Sequence, residues 1–288
     1  MSLTEKAFVL GQYALPHHWL SRLMGKFTYC ENPIIKNLMI RKISSAYQID
    51  LSEAQESDPR AYPSFNAFFT RPLKPEARPI ASPANSIASP ADGFLSQKGP
   101  IVNGSIIQAK GFDYTVEALL GGSTERAAPF LGGSFATVYL SPRDYHRLHM
   151  PLTGTLREMI HVPGRLFSVN DTTTRNVPGL FARNERVVAI FDTEVGPMAL
   201  ILVGAIFVAS IETVWHGVVT PPTRKDVFAV RYDPANIVLE KGAEMGRFNM
   251  GSTIVVLFGN PRATFDENIT SGSSVRMGSA IGHISDTP

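Results

Sequence analysis

The sequence predicts an α+β protein: a mainly antiparallel β body, either a sandwich or a partly closed barrel, preceded by N-terminal amphipathic helices. Three observations carry this expectation. Apolar residues recur at helical spacing in the first fifty positions and again only briefly near residues 116–120. Beyond Ala91 they gather into short β-branched runs, and Gly, Pro and Asn separate those runs.

The elements follow in order. After Pro16, residues Trp19, Leu20, Leu23, Met24 and Phe27 form one apolar stripe, with His18, Arg22 and Lys26 between them. After Pro33, which suits a first helical turn, Ile34, Ile35, Leu38, Met39, Ile43 and Tyr47 repeat the pattern beside Lys36, Arg41 and Lys42. Two basic amphipathic helices result. Their stripes fit either packing onto the protein's own core or lying in a bilayer surface, with Trp19 and Phe27 at the apolar boundary. Residues 58–90 carry Pro at 59, 63, 72, 75, 79, 83 and 90 and read as an extended connector wrapped on the body, because Phe65, Phe68 and Phe69 need burial. The runs FATVYL, REMIHV, RVVAIF, ALILV, AIFVASI and STIVVLF then read as strands. Residues 195–211 are uncharged for seventeen positions, short of the ~20 that a membrane span needs. Gly196, Pro197 and Gly204 interrupt this run, which suits two buried strands turning near Gly204.

Composition narrows the function. The 288 residues are 44% hydrophobic and 18% charged, which is globular rather than disordered. A formal net charge of +2 is too balanced for a nucleic-acid binder with a broad basic face. Residues 1–50 hold six cations against three acids, so what positive charge there is lies on the helices. Cys30 is the single cysteine, which rules out an intramolecular disulfide. The start lacks the pattern of a secretory signal, making the cytoplasmic side the default.

Three stretches could carry chemistry. In SPADG, residues 89–93, an Asp precedes a turn glycine. In YLSPRDYHRLHMP, residues 139–151, His146 and His149 stand three apart. That spacing is weak for a metal without a third nearby ligand, and no metal is expected. A histidine acting as acid or base needs one carboxylate partner, for which Asp92 is available. The third stretch is MGST, residues 250–253, opening an apolar run; it lacks the G-x-S-x-G of a serine-hydrolase elbow. A Gly-Ser bond does permit the hydroxyl to attack the preceding carbonyl, because glycine leaves the approach open. A second quartet, MGSA at 277–280, warns that the letters alone decide nothing.

The motifs FFTRPLKPEARPI, SPADG, LSPRDYHRLHMP, PGRLFSVN, LFARNERV, IETVW and EMGRFNMGSTIVVLF occur in this order between about residues 60 and 260. Together they resemble the bacterial, membrane-associated phosphatidylserine decarboxylases, a pyruvoyl-dependent family of self-processing proenzymes. Met250 stands where that family usually has Leu, a change of similar volume. The resemblance implies cleavage between Gly251 and Ser252, into a large chain of 1–251 and a small chain of 252–288 that stay together as a heterodimer. Oligomeric state beyond that pair stays open. Ser252 would become the covalent pyruvoyl cofactor, which forms a Schiff base with phosphatidylserine and releases carbon dioxide and phosphatidylethanolamine. Asp92 would orient His149, and His149 would take the proton from Ser252. His146 would handle the substrate carboxylate and return a proton, and Ser168 and Arg165 would meet the phosphate side. Ser279 is read as structural.

A two-chain phospholipid must be met at the bilayer, since drawing its tails into water costs ~0.8 kcal/mol per CH₂. Residues 1–57 therefore form the expected membrane-contact region and 58–288 the catalytic domain, placing the protein peripherally on the cytoplasmic side of an anionic cell membrane. Two other classes compete: a serine hydrolase using Asp92, His149 and Ser252 on an external ester, and a non-enzymatic β-sandwich that binds membranes.

Overall fold

A computed structural model describes residues 2–109, 111–208, 210–221 and 226–285. Three helices open the chain rather than the two that the stripes single out. Helix α1, Leu3–Ala14, starts at a reciprocal cap in which Ser2 Oγ accepts from the Glu5 N–H and the Glu5 carboxylate accepts from the Ser2 N–H. Helix α2, His17–Thr28, follows Pro16 directly. Helix α3, Pro33–Tyr47, has Pro33 in its first turn and Asn32 Oδ1 accepting from the N–H groups of Ile34 and Ile35. Among the described residues, no helix is long and apolar enough to cross a membrane.

The connector behaves as the burial argument requires, with a short helix inside it. Helix α4, Phe65–Phe69, is capped by Ser64 and buries Phe65, Phe68 and Phe69 against Ile40 and Tyr62. Burial of each such ring is worth about 1.5–3 kcal/mol. Met250 packs on the same cluster, so this minor core ties the helices to the candidate site.

The body is antiparallel β. Its largest sheet runs, in spatial order, Phe228–Arg231, Gly154–Val162, Arg186–Thr193, Gly196–Val203, Thr253–Phe258, Ser134–Tyr139, Gly93–Pro100 and Ser274–Val275. The strand Val238–Leu239 adds to Gly154–Val162. A four-stranded sheet orders Gly217–Val218, Ile211–Thr213, Glu244–Phe248 and Arg147–His149, and a three-stranded one joins Ser86–Ala88, Ala280–Ile284 and Ala263–Phe265. The described strands form open sheets, as a sandwich-like α+β body should. Strand Thr253–Phe258 is buried at all six positions and pairs in full with Gly196–Val203 and Ser134–Tyr139. A strand covered on both faces is continuously apolar, which explains TIVVLF.

One expected strand does not form. The run 195–211 supplies Gly196–Val203, but residues 205–208 of AIFVASI do not continue as a strand, and its last residue opens the separate strand Ile211–Thr213. Val208 N–H donates to the Ala205 carbonyl, closing a turn in which Phe207 has φ 68, and Ser21 Oγ on α2 accepts from the Phe207 N–H at 3.1 Å. Ala209, within that run, lies outside the described residues. The β-branched content fitted a strand, while a contact with a helix nearly two hundred positions away decided otherwise.

Candidate active site

The site forms where the chain passes from one sheet to another. Strand Glu244–Phe248 lies in the four-stranded sheet and Thr253–Phe258 in the large one, so residues 249–252 must bridge them. Both ends of the bridge are pinned. Phe248 N–H donates to the His146 carbonyl at 3.1 Å, Asn249 N–H to the Ser210 carbonyl at 2.9 Å, and Leu140 N–H to the Ser252 carbonyl at 2.8 Å. The buried Asn249 side chain donates to Ser210 Oγ at 2.6 Å and accepts from Asn66 Nδ2 at 3.2 Å. Held this way, Met250 adopts φ 117, a backbone region that a side chain enters only when its surroundings impose it.

Gly251 follows, and its lack of a side chain is a packing requirement. A Cβ there would collide with His146, closest to Cε1 and 2.5 Å from Nδ1. The imidazole is itself fixed, since Phe69 stacks on it at 4.0 Å with the rings 9° apart. His146 is fully buried and neither ring nitrogen has a well-formed hydrogen bond. Burial, followed by the Arg71 charge, lowers its pKa to about 3 against an opposing contribution from the Pro142 backbone. Near neutral pH His146 is therefore an uncharged imidazole with a free lone pair. Ser252, 2% exposed, has a hydroxyl with no partner. Leaving such a group unpaired costs about 1–3 kcal/mol. A cavity of about 330 Å³ opens here, lined by Met250, Gly251, Ser252, His146, Phe69, Tyr139 and Ser168 and closed on one side by Ile43 and Tyr47 of α3.

Four of the expected residues thus share one cavity: Gly251, Ser252, His146 and Ser168. Three others do not line it. The His149 ring sits with Nδ1 2.8 Å from the Gly242 carbonyl and Nε2 3.1 Å from the Tyr145 hydroxyl. A carbonyl only accepts, so Nδ1 carries the hydrogen and Nε2 accepts from Tyr145. Burial pushes the His149 pKa down and that of Tyr145 up to about 12.

The expected hydrogen bond from the His149 ring to the Asp92 carboxylate is not made. Arg78 grips both Asp92 oxygens, Nε to Oδ1 at 2.8 Å and Nη2 to Oδ2 at 2.5 Å, and the Met277 N–H adds a third donor at 2.8 Å. A guanidinium fork matches a carboxylate better than an imidazole can. Arg165 is likewise committed elsewhere, donating to the Tyr13 carbonyl of α1 at 2.6 Å and lying over the Phe167 ring. Ser279 is exposed and donates to the Arg276 carbonyl at 2.6 Å.

Sequence reasoning did not single out Arg78, Tyr145 or the His146-stacking role of Phe69. Arg78 and Phe69 lie inside FFTRPLKPEARPI, but nothing in their spacing reveals that one ends on Asp92 and the other on His146. Among the described residues, no group of three His, Cys, Asp or Glu is placed to hold a metal.

Comparison with known proteins bears on what this arrangement does. The family model described as phosphatidylserine decarboxylase matches residues 65–283, and one described as PSD matches residues 7–48. The chain belongs to the phosphatidylserine decarboxylase family. Relatives include the phosphatidylserine decarboxylase proenzymes of Pseudomonas fluorescens, 58% identical over 97% of this chain and 98% of that protein, and of Bordetella pertussis, 58% identical over 98% and 95%. That of Ectopseudomonas mendocina is 57% identical over 98% and 99%. Within a phosphatidylserine decarboxylase the residues at hand also fit a cofactor made from the chain: a buried, unpartnered serine hydroxyl follows a glycine that lies against a neutral imidazole.

Proposed function

We propose that this chain is a proenzyme that cuts its own backbone between Gly251 and Ser252 and, as a two-chain protein, decarboxylates phosphatidylserine to phosphatidylethanolamine. The observation that carries the reading is the orphaned Ser252 hydroxyl next to a glycine packed on His146. Ser252 Oγ would add to the Gly251 carbonyl carbon, the C–N bond would break, and the proton leaving Oγ would end on the freed Ser252 nitrogen. Loss of the Ser252 α-proton then expels the Gly251 carboxylate, and water hydrolyses the unsaturated residue left behind to a pyruvoyl group with release of ammonia. Serine is a poor nucleophile unaided, so a base is required.

His146 would do that work, since neither ring nitrogen has a well-formed hydrogen bond and the ring lies against Gly251. His149, the base that the family resemblance implies, would first have to give up its hydrogen bond from Tyr145. Asp92 belongs to the future large chain and holds the Met277 N–H of the small one, which makes it an anchor between the two.

The pyruvoyl group supplies an electrophilic carbonyl that draws electrons from the substrate as carbon dioxide departs. His146, neutral at rest, would have to take up a proton before returning it to the substrate carbon, and the Ser168 N–H and hydroxyl would face the phosphodiester. Ile43, Tyr47 and Phe207 line the cavity, and Leu3, Leu10, Trp19 and Ile34 are exposed nearby in sequence on α1–α3. This apolar surface supports peripheral attachment to the cytoplasmic face of the membrane. Intact-mass spectrometry of the purified protein tests the scheme. Two chains are expected, the smaller beginning at position 252 and lacking an amino group; one unbroken chain that still decarboxylates phosphatidylserine would overturn it.

A further inference from the structure

Helix α1 reaches the cavity wall through one side chain. Gln12, buried on α1, places Oε1 3.0 Å from the Ser168 backbone nitrogen and 3.2 Å from Ser168 Oγ. Two donors from one residue converging on a single oxygen form a small oxyanion position, and Ser168 lines the cavity that holds Gly251 and Ser252. The neighbouring contacts direct it. Asn170 Nδ2 donates to Ser168 Oγ at 3.3 Å, leaving the hydroxyl hydrogen free to point at Gln12, and Thr173 Oγ1 fixes the Ser168 carbonyl at 2.7 Å. An amide oxygen is a weaker acceptor than a charged phosphate oxygen, so the pair is matched to a better ligand than it holds.

We propose that Gln12 is a positioning residue for substrate choice: its side-chain oxygen fills, in the lipid-free protein, the position at Ser168 that a phosphodiester oxygen of the bilayer substrate takes over. This rests on the reading of Ser168 as the phosphodiester contact. The helix that carries Gln12 buries only Val9 and Gln12, while Leu3, Phe8 and Leu10 are exposed. Partition of those side chains into lipid favours a slightly withdrawn α1, and the exchange itself needs only the Gln12 side chain to swing away. A lipid arriving singly from water must displace Gln12 without that help. Its apparent affinity falls by the fraction of molecules in which the position is already open.

The test compares processed full-length protein on dihexanoyl phosphatidylserine below its critical micelle concentration with the same protein on long-chain phosphatidylserine in phosphatidylcholine vesicles. Gln12→Leu is expected to lower KM for the monomeric lipid about tenfold, to leave kcat within about twofold, and to shrink the preference for vesicles. Gln12→Glu, which keeps the acceptor and adds charge, should raise KM for the monomeric lipid. Gln12→Asn draws the oxygen back and should move as Gln12→Leu does, serving in its place if that variant does not accumulate. A Gln12→Leu protein with reduced kcat and unaltered KM, or with the wild-type preference for vesicles, overturns the proposal. Ser168→Ala separates the two readings. Higher KM on both substrates with no response to Gln12→Leu sinks Gln12 alone, whereas unchanged KM in Ser168→Ala removes the phosphodiester role itself.

Discussion

Met-Gly-Ser occurs twice in this chain, and the two copies sit in opposite surroundings. At 250–252 the triplet bridges two sheets, the serine is buried with an unpaired hydroxyl, and the glycine lies against His146. At 277–279 the glycine has φ 84, its N–H donates to the Ser89 carbonyl at 2.9 Å and its carbonyl accepts from the Ala81 N–H at 2.8 Å. The serine beside it is exposed and hydrogen-bonded. One serine has its polar capacity spent and the other has it withheld. Three shared letters thus make a turn in one place and a buried bridge between sheets in the other, and what separates them is the histidine, the burial and the missing partner.

The strongest way to break this contrast is to exchange serine for alanine at each site. Ser252→Ala should leave a single uncut chain without decarboxylation, while Ser279→Ala should cut and turn over like wild type, as read on a denaturing gel and by carbon dioxide release. A Ser252→Ala protein that still divides would end the comparison.

Next in size is the histidine that only the first triplet has. His146→Ala should lose about 10²–10⁴ in decarboxylation, the usual scale for a proton-transfer group. His149→Ala sharpens the point: uncut precursor accumulating there, and not in His146→Ala, would return the processing base to His149.

Gly278→Ala probes the second triplet. The left-handed backbone and a Cβ only 2.8 Å from the Pro79 carbonyl should cost about 1–3 kcal/mol in urea unfolding, with cutting at 251–252 retained.

The smallest effect is on pH. His146 has its pKa lowered from 6.5 to about 3 in the folded state, so the unfolded chain binds more protons between those values. Stability should therefore fall with acidification across that window, by up to about 1.4 kcal/mol per pH unit from this residue. In a Ser252→Ala background, which keeps both proteins uncut, His146→Phe should flatten the acid limb of the urea midpoint; an identical slope would contradict the burial argument.

Periodicity and burial were legible in the sequence because they are local. The stripes of α2 and α3, the need to bury Phe65, Phe68 and Phe69, and the fully covered strand at 253–258 all follow from residue type and spacing. Ser252 could be singled out as a candidate, since a Gly-Ser bond leaves the preceding carbonyl open to the hydroxyl, and its burial without a partner came only from the structure. Partners were not. Asp92 and His149 stand in motifs that suggest a pair, yet Arg78 takes the carboxylate and Tyr145 and Gly242 take the imidazole. Those choices depend on which of several donors reaches a carboxylate first in space. The stretch 205–208 fails as a strand for a similar reason: its partner lies on α2.

The strand that follows the proposed scission point is flanked along its whole length on both sides. A break just ahead of it would sever the covalent thread while leaving the fabric whole. Separating the halves would mean tearing a seam through the middle of the large sheet, so subunits from different molecules should not mix once matured. Activation would then be a single, unrepeatable event in the life of each molecule, and the number of working enzymes would be fixed by how many were ever synthesised.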